Sequence, residues 1–210
     1  SASYTKANKN LQINGGFDIT HRSKNYENAL KANTVISSSE NTDQTQRSEA
    51  SYSLTRLYSS PWFSAASLSF QSNTELNINS RYQVFGGGGY FFIRKPGNNF
   101  YTTTGLSANR EQSIAEPVIV TENIEYVAAL RFHQFKFRNP QFDVLTSVIT
   151  YTSLNNLGRF RFDFELTLLW ELFNDFKLNI TLYDNFDNRP PGGGNSLNSW
   201  NILTGLTYSI

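Results

Sequence analysis

From Arg159 to Phe173 the chain reads RFRFDFELTLLWELF, and apolar and polar positions alternate along it. Phe160, Phe162, Phe164, Leu166, Leu168, Trp170 and Leu172 share one side. Arg159, Arg161, Asp163, Glu165, Thr167 and Glu171 share the other, with Leu169 as the apolar exception. A strand points successive side chains to opposite faces and separates these charges cleanly, whereas a helix scatters them. The same alternation predicts strands at about 2–7, 9–22, 26–38, 47–58, 62–73, 79–94, 99–112, 121–138, 141–153, 158–173, 176–187 and 199–210. Most are longer than the roughly five or six residues usual in globular proteins. They match or exceed the roughly 9 to 11 that a tilted strand needs to cross a bilayer.

The connections between these strands alternate in length. RSKN at 22–25, SSP at 59–61, KPGN at 95–98, RNP at 138–140 and ND at 174–175 are tight. SSENTDQTQ at 38–46, SNTELN at 72–77, EQSIAEPVIVTE at 111–122, SLNNLG at 153–158 and DNRPPGGGNSLNS at 187–199 are mostly longer. All six prolines fall in connections or at strand ends, where a missing N–H breaks no ladder bond. Short turns on one side and long loops on the other are the pattern of an outer-membrane barrel. The expectation is therefore all-β: a closed antiparallel transmembrane β-barrel of about twelve strands with up-and-down topology. An even count puts both termini on the short-loop, periplasmic side, and the absence of a linker makes residues 1–210 a single domain.

The apolar rows define a lipid-facing surface: Leu11, Ile13, Phe17 and Ile19; Tyr52 and Leu54; Leu68 and Phe70; Tyr82 and Val84; Ile124, Tyr126, Leu130 and Phe132; Leu178, Ile180 and Leu182. Aromatic residues such as Tyr58, Trp62, Tyr90, Phe92, Phe100 and Trp200 begin or end many of these rows, where a barrel carries its girdles. A soluble β-sandwich buries the same face in its core, but it seldom uses so many strands of this length. The opposite rows hold Asp18, Lys31, Arg47, Glu49, Arg81, Glu111, Glu125, Arg131, His133, Arg159, Arg161, Asp163, Glu165 and Glu171. Within a barrel these point into the lumen, where arginine and carboxylate pair in two-pronged contacts. A structural network filling or lining a narrow interior is the reading, with a small selective pore as its alternative.

Composition sharpens this picture in a few places. Aromatic residues make up 15% of the chain, with 17 Phe and 11 Tyr, although the mean hydropathy is that of a soluble protein. Alternation hides an apolar band from averages of that kind. No apolar run reaches the roughly 18 to 20 residues of a membrane helix. A net charge of +1 argues against nucleic acid as a partner. With no cysteine there is neither a disulfide framework nor a thiolate metal site, and no cofactor is expected. The chain opens at Ser1 without Met or an apolar signal segment, as a mature or trimmed form does.

Two features invite chemistry. GGGGYFF, beginning at Gly86, resembles a phosphate-cradling loop, but such a loop needs a helix N-terminus after its glycines, and here the chain continues as YFFIR into the KPGN turn. Period two persists through Tyr82, Val84, Gly86, Gly88, Tyr90 and Phe92, so Gly86, Gly87, Gly88 and Gly89 lie within a strand. Their missing side chains leave room for a bend of the wall or for Phe85 and Phe91 in the lumen. His21 and Ser23, two residues apart in ITHRSKN, are the candidate base and nucleophile of a lipid hydrolase. The spacing is similar to that of the outer-membrane phospholipase, also a twelve-stranded barrel. The Asp-Asn-Gly context of that enzyme is missing, and the pair lies at a tight turn on the wrong side of the membrane. No catalytic or metal residues are assigned.

The blocks ELNINSRYQVFGGGGYFFI, TTGLSANREQ, LGRFRFDFELTLLWELFNDFKLNITLYDNFDNRPPGGG and WNILTGLTYSI, over roughly residues 70–210, resemble the YdiY-like family of salt-induced outer-membrane proteins. The resemblance is most specific at Asn109-Arg110-Glu111, from Leu182-Tyr183-Asp184 to Pro191, and in the order of the blocks. It implies an outer-membrane barrel of a diderm bacterium, in a family without a defined activity and without catalytic residues to transfer. Trp200, Ile202, Leu206, Tyr208 and Ile210 alternate to the last residue like the C-terminal signal read by barrel-assembly machinery, although that signal usually closes on Phe or Trp. The expected partners are thus outer-membrane lipid, lipopolysaccharide and that machinery. The expected role is envelope integrity, with a narrow pore or a lipid-processing enzyme as alternatives.

Overall fold

The computed structural model describes residues 2–7, 10–39, 42–114, 116–136, 141–173, 176–190 and 197–208. The strands are β1 (Ala2–Ala7), β2 (Asn10–Arg22), β3 (Tyr26–Ser39), β4 (Thr42–Leu57), β5 (Trp62–Asn73), β6 (Ile78–Lys95), β7 (Asn98–Ser113), β8 (Val120–Lys136), β9 (Phe142–Ser153), β10 (Phe160–Phe173), β11 (Phe176–Asp187) and β12 (Asn198–Tyr208). They form one sheet in sequence order, and every ladder between neighbours is antiparallel. The all-β, up-and-down, antiparallel expectation holds. Among the described residues no ladder joins β12 back to β1.

Two boundaries depart from the pattern expected of the sequence. The loop expected at 38–46 is mostly strand: β3 runs to Ser39, and β4 already begins at Thr42. TDQTQ carries no apolar alternation to mark it, but polar residues satisfy a ladder as well as apolar ones once a neighbouring backbone supplies the hydrogen bonds. A register shift between Ser37 and Ser39 accommodates the extension. Arg159, expected as the start of a strand, instead lies in the turn ahead of β10.

The sheet is inverted relative to a soluble protein. Tyr82 is 60% exposed and Leu206 69%, with Phe17, Ile19, Leu68, Val84, Leu106, Ile124 and Trp200 exposed beside them. Arg159, Glu111, Glu125, Asn123 and Asp187 are fully buried. Burying charge while exposing large apolar side chains runs against the ordinary distribution in water. A sandwich puts the apolar face inside, so this arrangement excludes it. Side chains of the inward face also meet across the curl. The Arg47 guanidinium of β4 lies 4.2 Å over the Tyr183 ring of β11, and Arg81 of β6 reaches Asp187 at the end of β11.

Outward aromatics pack together at two levels. Near the short turns the rings form a chain of contacts: Trp62 to Tyr90 at 5.0 Å, Tyr90 to Phe92 at 5.4 Å, Phe92 to Phe100 at 5.0 Å and Phe100 to Phe132 at 6.4 Å. Toward the long loops, Phe70 packs on Tyr82 at 5.2 Å. Trp62 and Phe70 lie on the same strand eight residues apart, about 26 Å of strand and ~20 Å of height at a tilt near 40°. That is close to the roughly 25 Å apolar band between the girdles of an outer-membrane barrel.

On the inner side of β6 and β7 the wall is stripped of side chains. Gly87 pairs with Gly105, and a methyl group on Gly87 would lie 2.8 Å from both the Gly105 Cα and the Phe85 ring. A methyl group on Gly89 would meet the Phe63 ring at 2.7 Å or closer. Phe63, Phe91 and Tyr101 pack together there, with centroids 4.8 to 5.6 Å apart. Gly86 points outward and has open space around it. Gly87→Ala and Gly89→Ala should therefore each cost about 1–3 kcal/mol through overpacking, while Gly86→Ala should be nearly neutral. The urea midpoints of the refolded variants, read from the heat-modifiable band on a gel, test the contrast; equal losses at Gly86 and Gly87 would refute it.

Candidate functional site

The inward rows bring their charges together at the long-loop end. Register alone places Arg81 opposite Glu111 and Arg161 opposite Asp187. Other bonds join strands that are not neighbours. Glu111 accepts from Arg81 Nε at 2.7 Å on one oxygen and from Arg159 Nη2 at 2.7 Å on the other. Asp187 accepts from Arg159 Nη2 at 2.6 Å, Arg159 Nε at 3.2 Å and Arg81 Nη2 at 3.2 Å, and its Oδ1 also takes the Arg189 backbone N–H at 3.0 Å. Burial opposes the charge on Arg159, but the bonds to Asp187 and Glu111 and their fields prevail and hold its guanidinium above the ordinary value.

A second cluster lies beside the first. Arg161 donates through Nε and Nη2 to the two oxygens of Glu125, the former at 2.9 Å, while its guanidinium stacks 4.2 Å over the Tyr151 ring. Asn109 Nδ2 donates to Glu125 at 2.6 Å, and Asn109 Oδ1 accepts from Asn123 Nδ2 at 3.1 Å. Arg47 Nε and Nη2 donate to Glu49 at 2.9 and 2.7 Å. Gln71 links this pair to the first cluster, donating to Glu49 at 3.1 Å and accepting from Arg81 at 2.7 Å. The guanidinium groups of Arg47, Arg81, Arg159 and Arg161 thus meet the carboxylates of Glu49, Glu111, Glu125 and Asp187, four against four. The void between Arg47, Asn73, Tyr183 and Ser199 measures about 30 Å³, water-sized.

Most of the remaining inward residues have partners of their own. Asp163 accepts from Asn185 Nδ2 at 2.7 Å, and Glu171 takes the Gln141 backbone N–H at 3.2 Å. His133 and Asp143 pair at 2.8 Å, and Arg131 contacts Ser147 at 3.4 Å. Glu165 is exposed. The important residue that the inward row of the sequence omits is Asp187, where the eleventh strand ends and the following loop begins. Period two through Tyr183, Asn185 and Asp187 was the signal that assigns it to the inward row.

The hydroxyl of Ser23 is engaged in its own turn, donating to the Tyr26 carbonyl and accepting the Tyr26 N–H, each at 3.2 Å. His21 pairs with Asn28 across the β2–β3 ladder. Trp200, Ile202 and Leu206 are exposed on the outward face of β12, whereas Ile210 and the Tyr208 side chain lie outside the described residues. Among the described residues no group of three or more His, Asp or Glu is placed to hold a metal ion.

Residues 1–210, the whole chain, match the family described as "Protein of unknown function, DUF481". The chain belongs to that family. No curated protein matches it. Among solved structures, the DUF481 chain is similar to one titled "NanC porin structure in rhombohedral crystal form", with a TM-score of 0.54 at 10% identity, covering 100% of this chain and 98% of that one. At this identity the likeness shows a porin-like β fold.

A buried charge stripped of its partner costs far more than an exposed one. Glu111 is 0% exposed and bonded to two arginines, whereas Arg110 on the outer face is 68% exposed and 4.0 Å from Glu122. Glu111→Leu should destabilise the DUF481 fold by about 3–5 kcal/mol. Arg110→Gln should change it by less than about 1 kcal/mol. Denaturant titration of the two variants in detergent checks both, and a mild Glu111→Leu would mean that the cluster is dispensable.

Proposed function

We propose that this chain is a closed, twelve-stranded outer-membrane β-barrel with periplasmic termini, whose interior is occupied rather than open, and which serves the integrity of the envelope without catalysing a reaction. The observation that carries the reading is the cross-strand ion-pair network from Tyr183 and Arg47 through Gln71 to Arg81, Glu111, Arg159 and Asp187. It ties β4, β6 and β7 to the β10–β11 hairpin through the interior, which supports closure of the sheet. It also places fully buried side chains where a wide channel needs water. The exposed apolar rows and the two aromatic levels support the membrane location, as does the likeness to a porin.

A narrow pore is the second reading. Its support is the incomplete cover of three inward charged residues, Arg131 and His133 toward the short turns and Glu165 midway along β10. Planar-bilayer recording of the refolded protein separates the two. The structural reading expects no discrete conductance steps from wild type, and steps appearing when Arg159 and Glu111 are both replaced by small neutral residues. Stable wild-type channels whose ion preference shifts in Arg81→Gln or Arg161→Gln would establish the pore instead.

A further inference from the structure

The two rims of the sheet differ in charge. At the short-turn end stand Arg22, Lys24, Arg56, Arg94, Lys95, Lys136 and Lys177. The described carboxylates there are already committed: Glu27 to Arg22 at 3.3 Å, Asp143 to His133 at 2.8 Å and Glu171 to the Gln141 N–H. Arg138 and Asp175 lie outside the described residues. At the long-loop end the inward arginines are held in the ion-pair network, and Arg110 and Arg189 are engaged, with Glu122 and with Asn156 and the Leu157 carbonyl, while Glu116 and Glu122 are exposed.

The short-turn cations are also interleaved with rings. Arg56 shares the outward row with Tyr26 and lies 5.9 Å from the centre of that ring and 5.6 Å from that of Tyr58. Lys136 is 5.9 Å from the Phe142 ring, which pairs in turn with Trp170. Successive turns are tied into one arc by backbone bonds: Leu57 N–H to the Asn25 carbonyl, Phe91 N–H to Pro61 and Phe135 N–H to Gly97. Aromatic rings settle at the boundary between hydrocarbon and water, and cations beside them reach the phosphate level. Each Lys or Arg near an anionic bilayer surface strengthens association roughly fivefold.

Building on the membrane reading above, we propose that the short-turn rim is a binding belt for anionic phospholipids, with Arg56 and Lys136 as its outward anchors and Lys24 and Lys95 widening it. The occupant follows from the chemistry. Exposed cations with no carboxylate partner among the described residues, set in an aromatic row at the edge of an apolar wall, fit a headgroup of net negative charge better than a zwitterionic one.

The experiment reconstitutes the folded chain in vesicles and measures quenching of tryptophan fluorescence by brominated lipid, since Trp62 and Trp170 both lie at this rim. Brominated phosphatidylglycerol should show at least a threefold higher relative association than brominated phosphatidylcholine. That ratio should fall toward one in the Arg56→Gln/Lys136→Gln double variant, and it should persist in Arg110→Gln. Equal association of both lipids with wild type, or a ratio unchanged in the double variant, overturns the proposal. Quenching by neither lipid overturns the membrane reading itself, so the two failures are distinct. Heat modifiability of each variant verifies that it is folded before the comparison.

Discussion

Glu111 has both carboxylate oxygens occupied, one by Arg81 and the other by Arg159, and the arrangement of the molecule follows from that constraint. A carboxylate taken wholly out of water is tolerable only when cations and hydrogen-bond donors replace its hydration. Arg81 stands directly opposite on the adjoining strand. Arg159 reaches Glu111 only because the sheet curls until its inner faces meet. The charged part of the inner face thereby acquires a fixed shape, with the long apolar rows on the other side of the sheet.

The two faces thus impose complementary demands. Where the inner face is built of paired charges it leaves no place for a hydrophobic core, and the long apolar rows face outward. The aromatic levels near Trp62 and Phe70 mark the height of that wall, and the stripped backbone at Gly87 and Gly105 admits the Phe85 ring on the inner side. Toward the short turns the inner face carries the ring cluster of Phe63, Phe91 and Tyr101, and toward the long loops it carries the ion pairs.

Much of this was legible in the sequence because the signal is local. RFRFDFELTLLWELF announces a strand and assigns each side chain to a face without knowledge of any neighbour. Where alternation fades the reading fades too: TDQTQ extends β4 by backbone pairing that no side-chain pattern reports. Asp187 was hidden because it adjoins the prolines and glycines of a long connection, although it continues the inward row of Tyr183 and Asn185. The partners within the charge network were not legible. Which guanidinium meets which carboxylate across the interior depends on the curl of the sheet, a property of the whole ladder rather than of any segment.

The central claim is that the apolar face meets lipid and the charged face is enclosed. The chain has no cysteine, so single cysteines can be introduced along β10 from Phe162 to Leu169 and spin-labelled in the bilayer. Labels at Phe162, Phe164, Leu166 and Leu168 should be relaxed strongly by dissolved oxygen, and labels at Asp163, Glu165, Thr167 and Leu169 weakly, with a period of two. Accessibility without that alternation, or with its phase reversed, would contradict the account.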